Sequence, residues 1–252
     1  IAIILIPFVA IPRGQMAKVF GLSVTMGTMH FGLMFVALER IHAGTAALIV
    51  LTSVPFALLL ALVFFRERFG WRRATGILIS FFGITFLVGE PQVNNNLLFA
   101  SLALISALAF GSANLQLRAL GGVNVYSING WMSVFAIPQM ALISWIFETG
   151  QFEAIRNASI DTWIAVAHMG VIVTILGHGI WYKIVPKYRT NQTMPFTLLI
   201  PVFGVTLGII ILQETLTWFI LAGGLITISG VAIILSRNTE NKTNATPGLE
   251  IK

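Results

Sequence analysis

The side chains with the most chemistry to offer in this chain are four histidines and two glutamates. His30, His42, His168 and His178 show no metal-ligand spacing, and no HExxH pattern occurs. No glycine-rich loop joins a strand to a helix, so no cradle for a nucleotide phosphate is visible. Cysteine is absent, which excludes disulfides, thiol catalysis and thiolate metal sites. These residues predict neither an enzyme nor a resident metal or cofactor. Without an ATP-hydrolysing motif, any transport would run on a gradient of ions or substrate. Imidazole changes charge near neutrality, so His30 and His178 leave proton coupling open. Glu67 and Glu214 lie beside turns at the ends of apolar runs. There a carboxylate meets the free N–H groups of a helix start. Both are read as helix-end carboxylates with a structural role.

Few other polar groups lie deep in apolar surroundings. In hydrocarbon each needs an internal partner or a water-filled cavity. Taken singly, an interhelical hydrogen bond explains each of them. Taken together, His30, Asn114, Asn129, Trp131, His178, Trp181 and Gln192 are expected to line a modest polar cavity with aromatic walls. Trp131 is also placed where an indole anchors at the membrane interface. The set holds no strong charge, which suits a neutral or zwitterionic small substrate better than a polyanion.

What must position these residues is a set of membrane-spanning helices. Of the 252 residues, 57% are hydrophobic and only 10% charged, against about 25% charged in soluble domains. The mean hydropathy of +0.90 agrees. Between Arg40 and Arg66 lie 25 residues without an acid, lysine or arginine, enough for a span of about 20. The basic turn 66–73 and a second run to Gly89 follow. Continuing in this way predicts full spans over residues 16–38, 44–65, 74–89, 97–117, 125–147, 162–182, 190–212 and 216–235. Pro138 is expected to break the sixth of the nine runs. Residues 1–11 read as the tail of a further span whose start is missing, and 237–252 as a disordered tail. If the connections alternate sides, 13 of the 15 basic residues fall on one side. The excess of Lys and Arg in cytoplasmic loops makes that side, with the C-terminus, cytoplasmic. The net charge of +6 is thus a topology signal, and nucleic acid is not an expected partner.

The chain also contains a weak copy of itself, 147 residues further on: Glu67 maps to Glu214, Gly76 to Gly223 and Gly83 to Gly230. Pro55 precedes Glu67 by 12 residues and Pro201 precedes Glu214 by 13. The two glutamates fall on opposite sides, so the halves are expected to be inverted, the arrangement that allows alternating access. Pro55, Pro195 and Pro201 would loosen their helices as hinges. The four glycines would serve close packing.

The segments from Pro55 through Glu67 to Gly83, and from Pro201 through Glu214 to Gly230, resemble the paired hallmark of EamA-type transporters of the drug/metabolite transporter superfamily. The stretch Met194-Pro195-Phe196-Thr197-Leu198-Leu199-Ile200-Pro201-Val202-Phe203-Gly204 is similar to the O-acetylserine/cysteine exporter branch. The resemblance covers residues 1 to about 236. It implies an all-α membrane protein, an inverted repeat of five-helix halves in a ten-helix transporter fold, here with the first helix missing. The first repeat would cover 1–90 and the second 97–236. It implies a secondary transporter exporting small metabolites, amino acids or derivatives, across the bacterial inner membrane. The expected partners are a small-molecule substrate and the lipid bilayer, with a homodimer compatible. A multidrug or other metabolite permease on the same scaffold is the second reading, and a non-transport membrane protein the third.

Overall fold

A computed structural model describes residues 13–65, 70–120, 123–180 and 198–236. Glu67, Trp181, Gln192 and Pro195 lie outside the described residues, as do the first run and the tail. We number the helices α1 (Met16–Leu38), α2 (Ala43–Val50), α3 (Ser53–Phe65), α4 (Trp71–Val88) and α5 (Leu97–Ala119). There follow α6 (Val125–Phe147), the short α7 (Gln151–Asn157), α8 (Ile160–His178), α9 (Leu199–Leu212) and α10 (Trp218–Leu235). Among the described residues seven segments are long and apolar enough to cross a membrane: α1, α2 with α3, α4, α5, α6, α8 and α10, while α9 is apolar but shorter. The protein is therefore all-α and multi-span.

Several local expectations change in the structure. The third span is two helices, because the chain turns at residues 51–52 between α2 and α3. Pro55 explains the place: it lacks an N–H, and its ring crowds the carbonyl four residues earlier, that of Leu51. The Leu51 carbonyl instead accepts from Val54 N at 3.2 Å, and Thr52 N turns back to Ile49 O at 3.0 Å. Pro138, by contrast, sits inside an unbroken α6. The fourth span starts at Trp71, so Arg72 and Arg73 belong to the helix and not to a turn. The polar connection 148–161 contains α7 and the start of α8, capped by Ser159, whose hydroxyl accepts from Thr162 N at 3.2 Å. Parts of α1 and α8 are wound more widely than an α-helix, with i→i+5 bonding, over Ser23–Gly32 and His168–His178.

Helix α5 is the inner post, packed against α1, α2 and α3. The tightest seam joins α4 to α10. The two run antiparallel, and glycine makes the approach possible. A Cβ on Gly76 would stand 2.8 Å from Gly230 O, and one on Gly230 2.7 Å from Gly76 O. A Cβ on Gly83 would stand 2.8 Å from Gly223 O, and one on Gly223 2.9 Å from Gly83 O. Between these pairs Ser80 meets Thr227, whose hydroxyl is 3.5 Å from the Ser80 carbonyl. Only hydrogen fits at the four glycines, so the backbones touch with almost no side chain between them.

Candidate functional site

Two polar constellations lie in the described bundle. The first is interior. His30 is 8% exposed, on the widened stretch of α1. Its Nδ1 is 2.8 Å from Ser106 Oγ and 3.2 Å from Ser106 O. Ser106 Oγ donates in turn to His30 O at 2.8 Å. Phe110, one turn after Ser106 on α5, stacks on the imidazole with centroids 4.6 Å apart. Phe31 leans against it at 4.9 Å, and the ring of His178 on α8 lies 6.4 Å beyond Phe31. The structure thus brings both His30 and His178 against one aromatic ring. Asn114, half-buried, continues the Ser106–Phe110 stripe at i+8.

Further out, α1 is tied to its neighbours by short polar bonds. Thr28 Oγ1 donates to Gln139 Oε1 at 2.6 Å, and Gln139 Nε2 to Ser23 Oγ at 2.8 Å. Asn129 and Trp131 do not share a face: two residues apart on α6, they point about 200° apart. Asn129 is 2% exposed and its Nδ2 is enclosed without a partner. Trp131 packs on Phe135 with centroids 6.1 Å apart, and its Nε1 is likewise enclosed and unpaired.

The second constellation closes one end of the bundle. Glu214 follows α9, where Gln213 takes a left-handed backbone (φ 55°). That turn swings Glu214 back over α9, its N–H donating to Gly208 O at 3.1 Å. Its carboxylate then accepts from Ala43 N (2.6 Å) and Gly44 N (3.1 Å), the first free N–H groups of α2. His42 N donates to Gln92 Oε1 at 3.2 Å. Three successive orphan donors at the start of α2 are thus satisfied by side chains from two other connections. Glu214 is a helix-end carboxylate, but it serves α2 and not the helix that follows it. That helix, α10, is capped by Thr217, whose hydroxyl accepts from Ile220 N at 3.3 Å and donates to Glu90 Oε2. Glu90, in the polar stretch between α4 and α5, is a buried carboxylate, 4% exposed. Its signal was the Glu-Pro step, since proline is at home in a first helical turn. A cavity of about 690 Å³ opens at this end, bordered by Glu39, Arg40, His42, Gln92, Asn96 and Glu214 among others. Glu214 alone of the described site candidates borders it.

Among the described residues no three His, Asp or Glu side chains are grouped to hold a metal ion. Pro201 is buried in α9, and Gly76, Gly83, Gly223 and Gly230 form the α4–α10 seam.

The sequence matches the model of the EamA-like transporter family over residues 1–89 and 97–236. A probable amino-acid metabolite efflux pump of Salmonella typhimurium is 26% identical over 236 residues, covering 90% of this chain and 79% of that protein. A protein of the same description from Escherichia coli is 25% identical over 236 residues, with the same coverage. A probable terminal-alkyne amino-acid exporter of Streptantibioticus cattleyicolor is 23% identical over 215 residues, 83% of this chain and 70% of that protein. An all-α bundle of spanning segments and a family match across both of its long apolar stretches lead to one assignment: the chain belongs to the EamA-like transporter family.

Proposed function

We propose that this transporter exports small amino acids or close derivatives from the bacterial cytoplasm, O-acetylserine and cysteine first among them. It is a secondary transporter of small metabolites, without enzymatic chemistry. The observation that carries the choice of solute is the uncharged polar interior around His30, Ser106 and His178, walled by Phe31 and Phe110. Such a lining offers hydrogen bonds and π faces without a fixed charge that would hold or repel a zwitterion. The amino-acid efflux named for two relatives supports the same class.

Alternating access would follow from an inverted repeat of 1–90 and 97–236, with the C-terminus cytoplasmic in the inner membrane. The α4–α10 seam supports the inversion. Its contact pairs, 76 with 230 and 83 with 223, interchange when each residue is replaced by its equivalent 147 positions away. Ser80 and Thr227 are themselves equivalents and lie where a two-fold axis would pass. Asn114, Asn129, His178, Trp181 and Gln192 would line the path with His30, Trp131 would pack on Phe135 away from Asn129, and Pro55, Pro195 and Pro201 would act as hinges.

The test is flux. Inside-out vesicles bearing the full chain should accumulate labelled O-acetylserine or cysteine above vesicles without it. His178→Ala should lower that flux while membrane abundance stays near normal. Movement of lipophilic cationic drugs, with none of either amino acid, would overturn the reading in favour of a multidrug permease.

A further inference from the structure

The Ser106 hydroxyl has a single hydrogen, and it goes to the His30 carbonyl at 2.8 Å. Its oxygen therefore accepts from Nδ1 of His30. The Ser106 carbonyl, 3.2 Å from the same nitrogen, can only accept. Both partners demand a hydrogen on Nδ1. In a neutral imidazole that leaves the lone pair on Nε2. No described residue bonds Nε2, and it is not among the sealed polar atoms of the interior. Phe110 stacks on the ring and Phe31 leans against it, so the approach left to Nε2 is along the ring plane.

We propose that His30 Nε2 accepts a hydrogen bond from the ammonium group of the transported solute, and that Ser106 positions the ring for this contact. The inference rests on the amino-acid export reading for the class of solute. A lone pair set among aromatic rings selects a cationic N–H donor: the bond is charge-assisted, and π faces attract a cation. It offers nothing to a carboxylate. Over residues 16–38 and 97–117 the only charged side chain is Lys18, near the start of α1, so no acid competes for the role. A neutral acceptor also suits transport, since a solute must leave the site it enters. Ser106 acts through the histidine and is a positioning residue.

The experiment uses the full chain, purified in detergent, with binding of O-acetylserine and of each of the twenty amino acids followed by calorimetry. The best binder is then compared with its N-acetyl and deaminated analogues. The wild type should bind both analogues at least about tenfold more weakly, the loss expected for one charge-assisted hydrogen bond. His30→Phe should bind the amino acid and its analogues within about twofold of one another, and Ser106→Ala should fall between. A wild type that binds an amino acid but ignores its ammonium overturns the inference and leaves the export reading standing. A wild type that binds neither O-acetylserine nor any of the twenty overturns both. Should His30→Phe fail to fold, undiminished discrimination in Ser106→Ala overturns the role of the Ser106–His30 pair.

Discussion

Adding one methyl group at Gly208 should destabilise the protein when Glu214 is present and stabilise it when Glu214 is gone. A Cβ built on Gly208 collides with Glu214 Oε2 and lies 3.0 Å from its Cδ; the next atom, Oε1, is 3.6 Å away. Nothing but Glu214 crowds the position. In the intact protein Gly208→Ala must therefore push the carboxylate off Ala43 N and Gly44 N. Hydrogen bonds to a charged group contribute about 1.5–3 kcal/mol each, and overpacking costs about 1–3 kcal/mol. Glu214 is half-buried, so we expect a net loss near the low end, about 2 kcal/mol. Glu214→Ala alone should cost about the same, because it leaves the same two donors without partners. In the Glu214→Ala background the collision is absent and alanine replaces glycine within α9, a gain of about 0.8–1 kcal/mol. The sign of the Gly208→Ala effect should thus reverse, with a coupling of about 3 kcal/mol. Reversible unfolding of the four proteins in mixed micelles measures it. Additive effects, with Gly208→Ala equally harmful in both backgrounds, would refute the description of Glu214 as a clamp on α2.

Three further outcomes follow from the same geometry. Gly83→Ala should destabilise by about 2 kcal/mol or more, because its Cβ meets not only the Thr227 hydroxyl but also the backbone atoms Thr227 N and Gly223 O of α10, which cannot rotate aside; unchanged thermal unfolding would contradict the seam. Thr217→Val should cost about 1–3 kcal/mol by leaving the buried Glu90 carboxylate without its hydroxyl, and Thr217→Ser should restore most of it, both read by thermal unfolding. If the basic connections are cytoplasmic, Glu153→Cys should react with an impermeant thiol reagent in intact cells and Arg72→Cys should not; the chain's lack of native cysteine keeps the readout clean.

Spans were legible because hydrocarbon imposes length and composition on every segment that crosses it. The 147-residue spacing was legible too, and the four glycines it singles out are the four that meet in the seam, each on α4 touching the equivalent of the other. What sequence could not show were partnerships across the bundle. Glu214 was read as serving its own helix start, yet it caps α2, some 170 residues earlier in the chain. Nothing local marks which N-terminus a carboxylate will reach. Glu90 has asparagines and a proline for sequence neighbours, which give no sign of burial, whereas Thr217 and the packing around it take it inside. The Ser106–Phe110–Asn114 stripe was available from i, i+4, i+8 spacing, but serine and phenylalanine are ordinary in a spanning helix. The widened winding around His30 and His178 has no signature residue and is visible only in the coordinates.

The α4–α10 seam also sets the timing of assembly during synthesis. Gly83 and its partner Gly223 are 140 residues apart, and Gly76 and Gly230 are 154 apart. At about 5–20 residues per second, the ribosome reaches the partner strip roughly 7–30 s after the first has been made. For that interval the glycine groove of α4 lacks the one surface shaped to fill it, and lipid tails must occupy it. A chain that stops before Trp218 never fills the groove. Helix α10 is therefore the one whose loss quality control should detect most sharply, and degradation of nascent chains should drop abruptly once it has entered the bilayer.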